Sequence, residues 1–209
     1  MKVTIFGATG MVGQYLVDET IAQLHTARAF GRNVFEVFST ERTYLELSKG
    51  YLFSEDDIKK ALKGADAVLS AIGGGFDGTD RARSIGMKKI VEAMEKKGPK
   101  RIVAIGGAGL LNADEGTFIY EMPGFPEKYK AVTLEHRQAY DHLSSSSLDW
   151  TFVCPPIILD AKATESYNTN RNYPAEGNQQ ITAGDLAHFM VKELIANEYL
   201  KCRVGIASV

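Results

Sequence analysis

Cysteine is nearly absent: Cys154 lies inside an apolar run and Cys202 near the end of 209 residues. Two thiols so spaced make neither a disulfide framework nor a metal-ligand set. A reducing, cytoplasmic setting is expected. Basic excess is missing as well, since 24 Lys plus Arg stand against 26 Asp plus Glu for a net charge of -2. No positive field gathers phosphate backbones, which argues against a nucleic-acid partner. No apolar run approaches the ~18 residues of a membrane-crossing helix, so no membrane partner is expected. Met1-Lys2-Val3-Thr4-Ile5-Phe6-Gly7 reaches its first glycine too soon to hold the apolar centre of a signal peptide. Internal repeats are absent, and the one low-complexity tract is Ser144 to Ser147, a short connection. Against these absences stand 44% hydrophobic residues and 20 glycines to 6 prolines, the balance of a globular chain. Its length suits a single domain over residues 1–209.

Strand and helix signals alternate along that domain. Lys2 to Phe6 is a short β-branched and aromatic run, and Met11 to Leu24 carries Val12, Leu16, Ile21 and Leu24 at helical spacing. Thr26 to Phe30 and Thr43 to Leu47 read as further strands, and Glu55 to Leu62 as a short helix with an acidic first turn. Ala67 to Ile72 is a continuous apolar strand closed by Gly73-Gly74-Gly75. A helical stripe of Ala82, Ile85, Ile90 and Met94 follows within Thr79 to Lys97, before a strand at Ile102 to Ile105. Ala131 to Leu143 has helical tendency, and Trp150 to Val153 is a strand stopped by Pro155-Pro156. Thr182 with Asp185 signals a final helix start, and Val204 to Ala207 a last strand. Buried strands alternating with helices predict an α/β fold with a doubly wound parallel sheet. Ligands in such sheets lie beyond the carboxyl ends of the strands.

At the first of those ends stands Gly7-Ala8-Thr9-Gly10-Met11-Val12-Gly13, three glycines at three-residue intervals between a strand and a helix. Gly7 suits the sharp turn, Gly10 the close approach of a pyrophosphate, and Gly13 the packing of helix on sheet. Amides of the first helical turn then face the phosphates. Arg32 follows the second strand, where an acidic residue would bind the ribose hydroxyls of NAD and an arginine the 2′-phosphate of NADP. It is read as a phosphate ligand rather than a solvated loop charge. NADPH/NADP is therefore expected in preference to NAD.

Taken together, these residues resemble the atypical short-chain dehydrogenase/reductases, the NAD(P)H-binding group with a single-domain Rossmann fold that includes NmrA-like proteins and the biliverdin-IXβ reductase/flavin reductases. The resemblance rests on Ile5-Phe6-Gly7-Ala8-Thr9-Gly10, Arg32, Ala61 to Val68, Leu148-Asp149-Trp150-Thr151 with Pro155-Pro156, and Ile181 through Met190. The last two blocks look most like the flavin reductase branch. The resemblance implies that Gly7, Thr9, Gly10, Met11 and Val12 surround the pyrophosphate and Arg32 the 2′-phosphate. It places Ala71, Ile72 and Gly73 beside the ribose and nicotinamide, with Pro155 and Pro156 at the ring. The chain also departs from that pattern. Leu24 stands where a helix-ending glycine is usual, and Tyr51 where an aspartate near the adenine is common. In the substrate pocket Gly107 replaces a serine and Ile157 a histidine, so biliverdin and flavin do not carry over as substrates.

The chemistry that survives is hydride transfer. None of the nine tyrosines has a lysine four residues on, so the Tyr-Lys proton relay of many short-chain dehydrogenases is missing. About fifty residues after Pro156 leave no room for the substrate domain of a sugar-nucleotide epimerase. Transfer from a nicotinamide needs mainly a dry pocket and close approach, because the cofactor carries the reactive bond. An NADPH-dependent reductase acting on a small planar flavin-, quinone- or carbonyl-like acceptor is expected. The alternative is an NmrA-like regulator that senses NADP(H) and contacts a protein partner without turnover. His136 and Tyr140, one helical turn apart, are the candidate proton donors, weighed against an exposed helix face. Residues 157–181, with Tyr167 and Tyr173, read as a substrate lid or a long surface loop. A monomer or small homo-oligomer is expected, and no metal.

Overall fold

A computed structural model describes residues 1–209. Strands β1 (Lys2–Phe6), β2 (Thr26–Gly31), β3 (Leu45–Lys49), β4 (Ala67–Ser70) and β5 (Arg101–Ile105) alternate with helices α1 (Met11–Ala22), α2 (Val34–Val37), α3 (Glu55–Leu62) and α4 (Ala82–Lys97). A hairpin of β6 (Asn112–Asp114) and β7 (Thr117–Phe118) leads to α5 (Glu127–Ser144) and β8 (Asp149–Cys154). The chain ends through β9 (Ile157–Leu159), β10 (Tyr167–Arg171), β11 (Gln180–Thr182), α6 (Ala183–Ala196) and β12 (Cys202–Ser208).

The main sheet has eight strands in the order β10-β12-β8-β5-β4-β1-β2-β3. It is parallel except for the edge pair β10–β12. The order reverses between β1 and β4, which opens the crevice where ligands of doubly wound sheets bind. Strand residues alternate between two apolar layers. Val3, Ile5, Ala29, Leu69 and Val103 face one, with Leu16 and Val17 of α1 and Leu186 and Met190 of α6. Phe6, Phe30, Val68, Ile102 and Phe152 face the other, with Ile58 of α3, Ile90 and Met94 of α4, and Leu143 of α5. Both faces are covered, and this is why the central strands carry apolar residues continuously.

Local signals set most element ends. Ser54 caps α3 by accepting from the Asp57 amide at 3.3 Å, and Thr182 caps α6 by accepting from that of Asp185 at 2.9 Å. The helical stripe of α4 holds at Ile90 and Met94 but not at Ile85. Arg83, Ser84, Gly86, Met87, Ile90, Val91 and Met94 are buried, while Ile85 is 40% exposed. Residues 157–181 are no simple lid or loop. They hold β9 and β11, paired parallel to each other, and β10, the antiparallel edge of the main sheet. Tyr167 donates or accepts a 2.9 Å hydrogen bond with His188 Nδ1 beneath α6, and Tyr173 lies beside β12, where its carbonyl crowds Gly205. Neither tyrosine reaches the crevice. No helix is long and apolar enough to cross a membrane.

Candidate functional site

A cleft of about 1170 Å³ runs across the carboxyl ends of β1, β2, β4, β5 and β8. Its first wall is the turn from β1 into α1. Gly7 has φ +78, and a side chain there would collide with the Ala71 carbonyl oxygen. A side chain at Gly13 would overlap the Gly7 carbonyl, so α1 lies against the turn only because that position is bare. At Gly10 the one neighbour of an added Cβ is the Gly7 oxygen at 3.4 Å, and at Gly73 there is none within 4 Å. Gly7 and Gly13 thus serve the fold, whereas Gly10 and Gly73 keep space open.

The amino end of α1 has no side-chain cap and no acidic residue in its first turn. The amides of Met11, Val12 and Gly13 find no acceptor, since the first intrahelical bond is Gln14 to the Gly10 carbonyl at 3.0 Å. Unpaired amides at the positive end of a helix dipole form a receptor for phosphate. Beside them, Thr9 packs against the end of β2, where Arg32 is exposed and makes no hydrogen bond or ion pair. Arg28 within β2 differs, being tied to Glu46 at 2.8 Å and to two carbonyls. Arg32, just past the strand, is left free for an anion. Gly50 to Phe53, following β3, border this end, and the Tyr51 amide donates to Asp57 Oδ2 at 3.0 Å.

Ala71, Ile72 and Gly73 after β4, Gly107 after β5, and Pro155, Pro156 and Ile157 after β8 form the middle of the cleft. His136 of α5 lies at its edge, with Cδ2 3.3 Å from where a Cβ on Gly107 would stand. His136 Nδ1 is buried without a partner. Desolvation, with the Arg83 guanidinium second, holds the imidazole far below its usual range, at about 3. The ring is neutral at physiological pH. Tyr140 must be removed from the site. It packs 5.8 Å from Trp150, 5.7 Å from Phe152 and 6.4 Å from Phe118, inside the aromatic layer under β8. The two side chains are one helical turn apart, yet only His136 lines the cleft. Cys154 is sealed, its thiol pushed up to about 12 by burial.

The far end of the cleft contains residues that motif reading missed: Phe76, Asp80 and Arg83 around the start of α4, and Phe125, Tyr129 and Thr133 around α5. Arg83 is only 6% exposed and donates to the Gly75 and Gly74 carbonyls at 2.9 and 3.0 Å, which pins the triglycine loop. Its guanidinium lies 5.7 Å from the Phe76 ring centre, and it forms no ion pair. An arginine on the apolar stripe of α4 was the available signal.

The free helix amides, the unoccluded glycines and the unpaired arginine fit a dinucleotide with its pyrophosphate at α1. Comparison with known proteins agrees at the level of class. A family model described as NAD(P)H-binding matches residues 7–197, and the chain belongs to that family. It is similar to protein YMR090W of Saccharomyces cerevisiae, 30% identical over 217 residues covering 93% of this chain and 87% of the yeast protein. A solved structure described as a "putative exported protein" from Burkholderia pseudomallei shares 33% identity at a TM-score of 0.85, with 99% of each chain covered. Another, from Streptococcus pneumoniae and described as a "putative NADH-flavin reductase", shares 26% identity at a TM-score of 0.84, with each chain fully covered at 100%.

Proposed function

We propose that the protein is an NADPH-dependent reductase of the atypical short-chain type, near the flavin reductase branch, acting on a small planar acceptor. The observation that carries this reading is the continuity of the cleft. One channel joins the phosphate receptor at α1 to an apolar chamber edged by Ile72, Phe76, Phe125, Tyr129 and Ile157. The description of the Streptococcus pneumoniae relative supports a reductase role. A reduced nicotinamide bound beside Ala71 to Gly73 supplies a hydride with its electron pair. The chain's own residues do the rest. The α1 amides and Gly10 seat the pyrophosphate, Arg32 selects the 2′-phosphate, and Pro155 and Pro156 set the floor against which the ring lies. The apolar walls exclude water from the acceptor, which strengthens every dipole directed at it.

Arg32 supports NADPH because a charge-assisted contact contributes about 1.5 to 3 kcal/mol, a preference of roughly ten- to 150-fold over NADH. Titration of the wild type and Arg32→Ala with both nucleotides tests this. The variant is expected to lose affinity for NADPH and keep that for NADH, and equal affinities in both proteins would refute the choice. Turnover is tested by loss of absorbance at 340 nm with quinones, flavins and aldehydes. A second reading, an NADP(H) sensor without turnover, is favoured by one feature: His136 is held neutral, so it cannot serve as a proton-donating imidazolium beside the acceptor. Tight NADPH binding with no oxidation across that panel, and a protein partner captured in only one redox state of the nucleotide, would select it.

A further inference from the structure

Four buried polar side-chain atoms in the molecule have no partner, on His25, Arg83, Arg101 and His136, and two of these residues line the cleft. Arg83 spends its outer nitrogens on the triglycine loop, so it shapes the wall. His136 spends nothing: neither ring nitrogen bonds to the protein. Its ring is flanked by Gly107, whose missing side chain leaves open the space beside Cδ2 and Nε2 in the cleft.

The two nitrogens have different surroundings. Nδ1 is sealed from solvent and meets no acceptor. A proton there would be an unsatisfied donor in a dry site, costing about 1–3 kcal/mol. On Nε2 the proton faces the cleft instead. The neutral ring therefore has one N–H with one place to donate it.

We infer that His136 is the catalytic hydrogen-bond donor to the acceptor, its Nε2–H meeting the oxygen of a conjugated carbonyl of the quinone class across the gap left by Gly107. This rests on the reductase reading above and narrows its acceptor. The carbon–hydrogen bond of the reduced nicotinamide breaks, and its hydride, with both electrons, bonds to the quinone's other carbonyl oxygen, oxidising the dinucleotide. Negative charge collects on the carbonyl oxygen facing His136. The hydroquinone monoanion takes its last proton from solvent as it leaves the cleft, and His136 keeps its own. A neutral imidazole cannot surrender a proton readily, but its N–H stabilises a developing oxyanion.

The test uses the full chain, duroquinone as probe and two variants. In protein carrying ¹⁵N-histidine, NMR of His136 is expected to show the proton on Nε2. That resonance should move when duroquinone is added to the NADP⁺-bound protein, a dead-end mixture in which nothing turns over. His136→Phe is expected to lower kcat with NADPH and duroquinone about 100-fold, with KM nearly unchanged. His136→Gln, which restores a neutral N–H near the same point, should recover most of the loss. A proton on Nδ1, an Nε2 signal indifferent to duroquinone, or a Phe variant as fast as wild type overturns the inference. If the wild type binds NADPH but reduces no acceptor, the reductase reading falls, and the NMR result alone then decides whether His136 contacts a quinone oxygen. If Phe does not fold, Gln and the NMR measurement decide.

Discussion

At the scale of single residues, backbone conformation and burial yield two sharp expectations. Leu24 sits at φ 60 just past α1, 81% exposed. His25 donates to Thr20 and Leu24 to Ile21, the pair of bonds that closes a helix through a left-handed residue. Leucine pays a steric penalty there that glycine avoids. Leu24→Gly is expected to stabilise the protein by about 1 kcal/mol, read as a higher midpoint in urea. The departure from a helix-ending glycine was visible in the sequence, although its cost required φ. His136 supplies a pH signature. Its folded pKa of about 3 lies below that of an unfolded histidine. As pH falls below about 6.5, the unfolded chain takes up a proton that the native ring refuses. This residue's contribution is therefore full above that pH and declines by about 1.4 kcal/mol per unit toward pH 3. The stability gap between wild type and His136→Gln should shrink between pH 7 and pH 4 in chemical denaturation. An unchanged gap would show that the ring titrates normally.

At the scale of elements, the turn into α1 separates glycines that serve packing from those that serve a ligand. Gly13→Ala drives a methyl into the Gly7 carbonyl, with only backbone to yield. A loss of about 3 kcal/mol is expected, with cofactor affinity falling as α1 lifts from β1. Gly73→Ala meets nothing within 4 Å, so its melting temperature should stay at the wild-type value while NADPH binding weakens. Calorimetry and nucleotide titration on the same two samples check both halves. The Gly7 to Gly13 motif was legible because strand, turn and helix follow one another in the chain. β10 was not. Tyr167-Asn168-Thr169-Asn170-Arg171 carries no apolar alternation, and it is a strand because β12 offers an antiparallel edge. The first turn of α4 departed from the expected stripe for a related reason: Arg83 counts as polar in any pattern, yet its carbonyl partners in the triglycine loop make burial tolerable.

At the scale of the whole molecule, the two ends of the sheet are separable. Opposite the cleft, Arg101 at the start of β5 pairs with Glu193 of α6 at 2.8 Å, and both are buried. Thr151 donates to the Tyr199 carbonyl at 2.9 Å, and the Tyr199 amide donates to Glu193 Oε1 at 2.9 Å. Glu193→Ala would strand the Arg101 charge, costing about 3–5 kcal/mol. NADPH affinity of the folded fraction should be unchanged, since no atom of this network lines the cleft. Denaturation and nucleotide titration distinguish this from a coupled pair of sites. Local order alone determined the alternation of strand and helix, the turn that presents bare amides to a phosphate, and an arginine after the second strand, because each depends on neighbours within a few positions. Tertiary structure decided the rest. It packed Tyr140 among aromatic rings while leaving His136 at the cleft, brought Arg83 and Phe76 to the far end of that cleft, and formed strands within residues 157–181. Those outcomes depend on which side of a helix meets which strand, and that is settled by packing between segments distant in the chain.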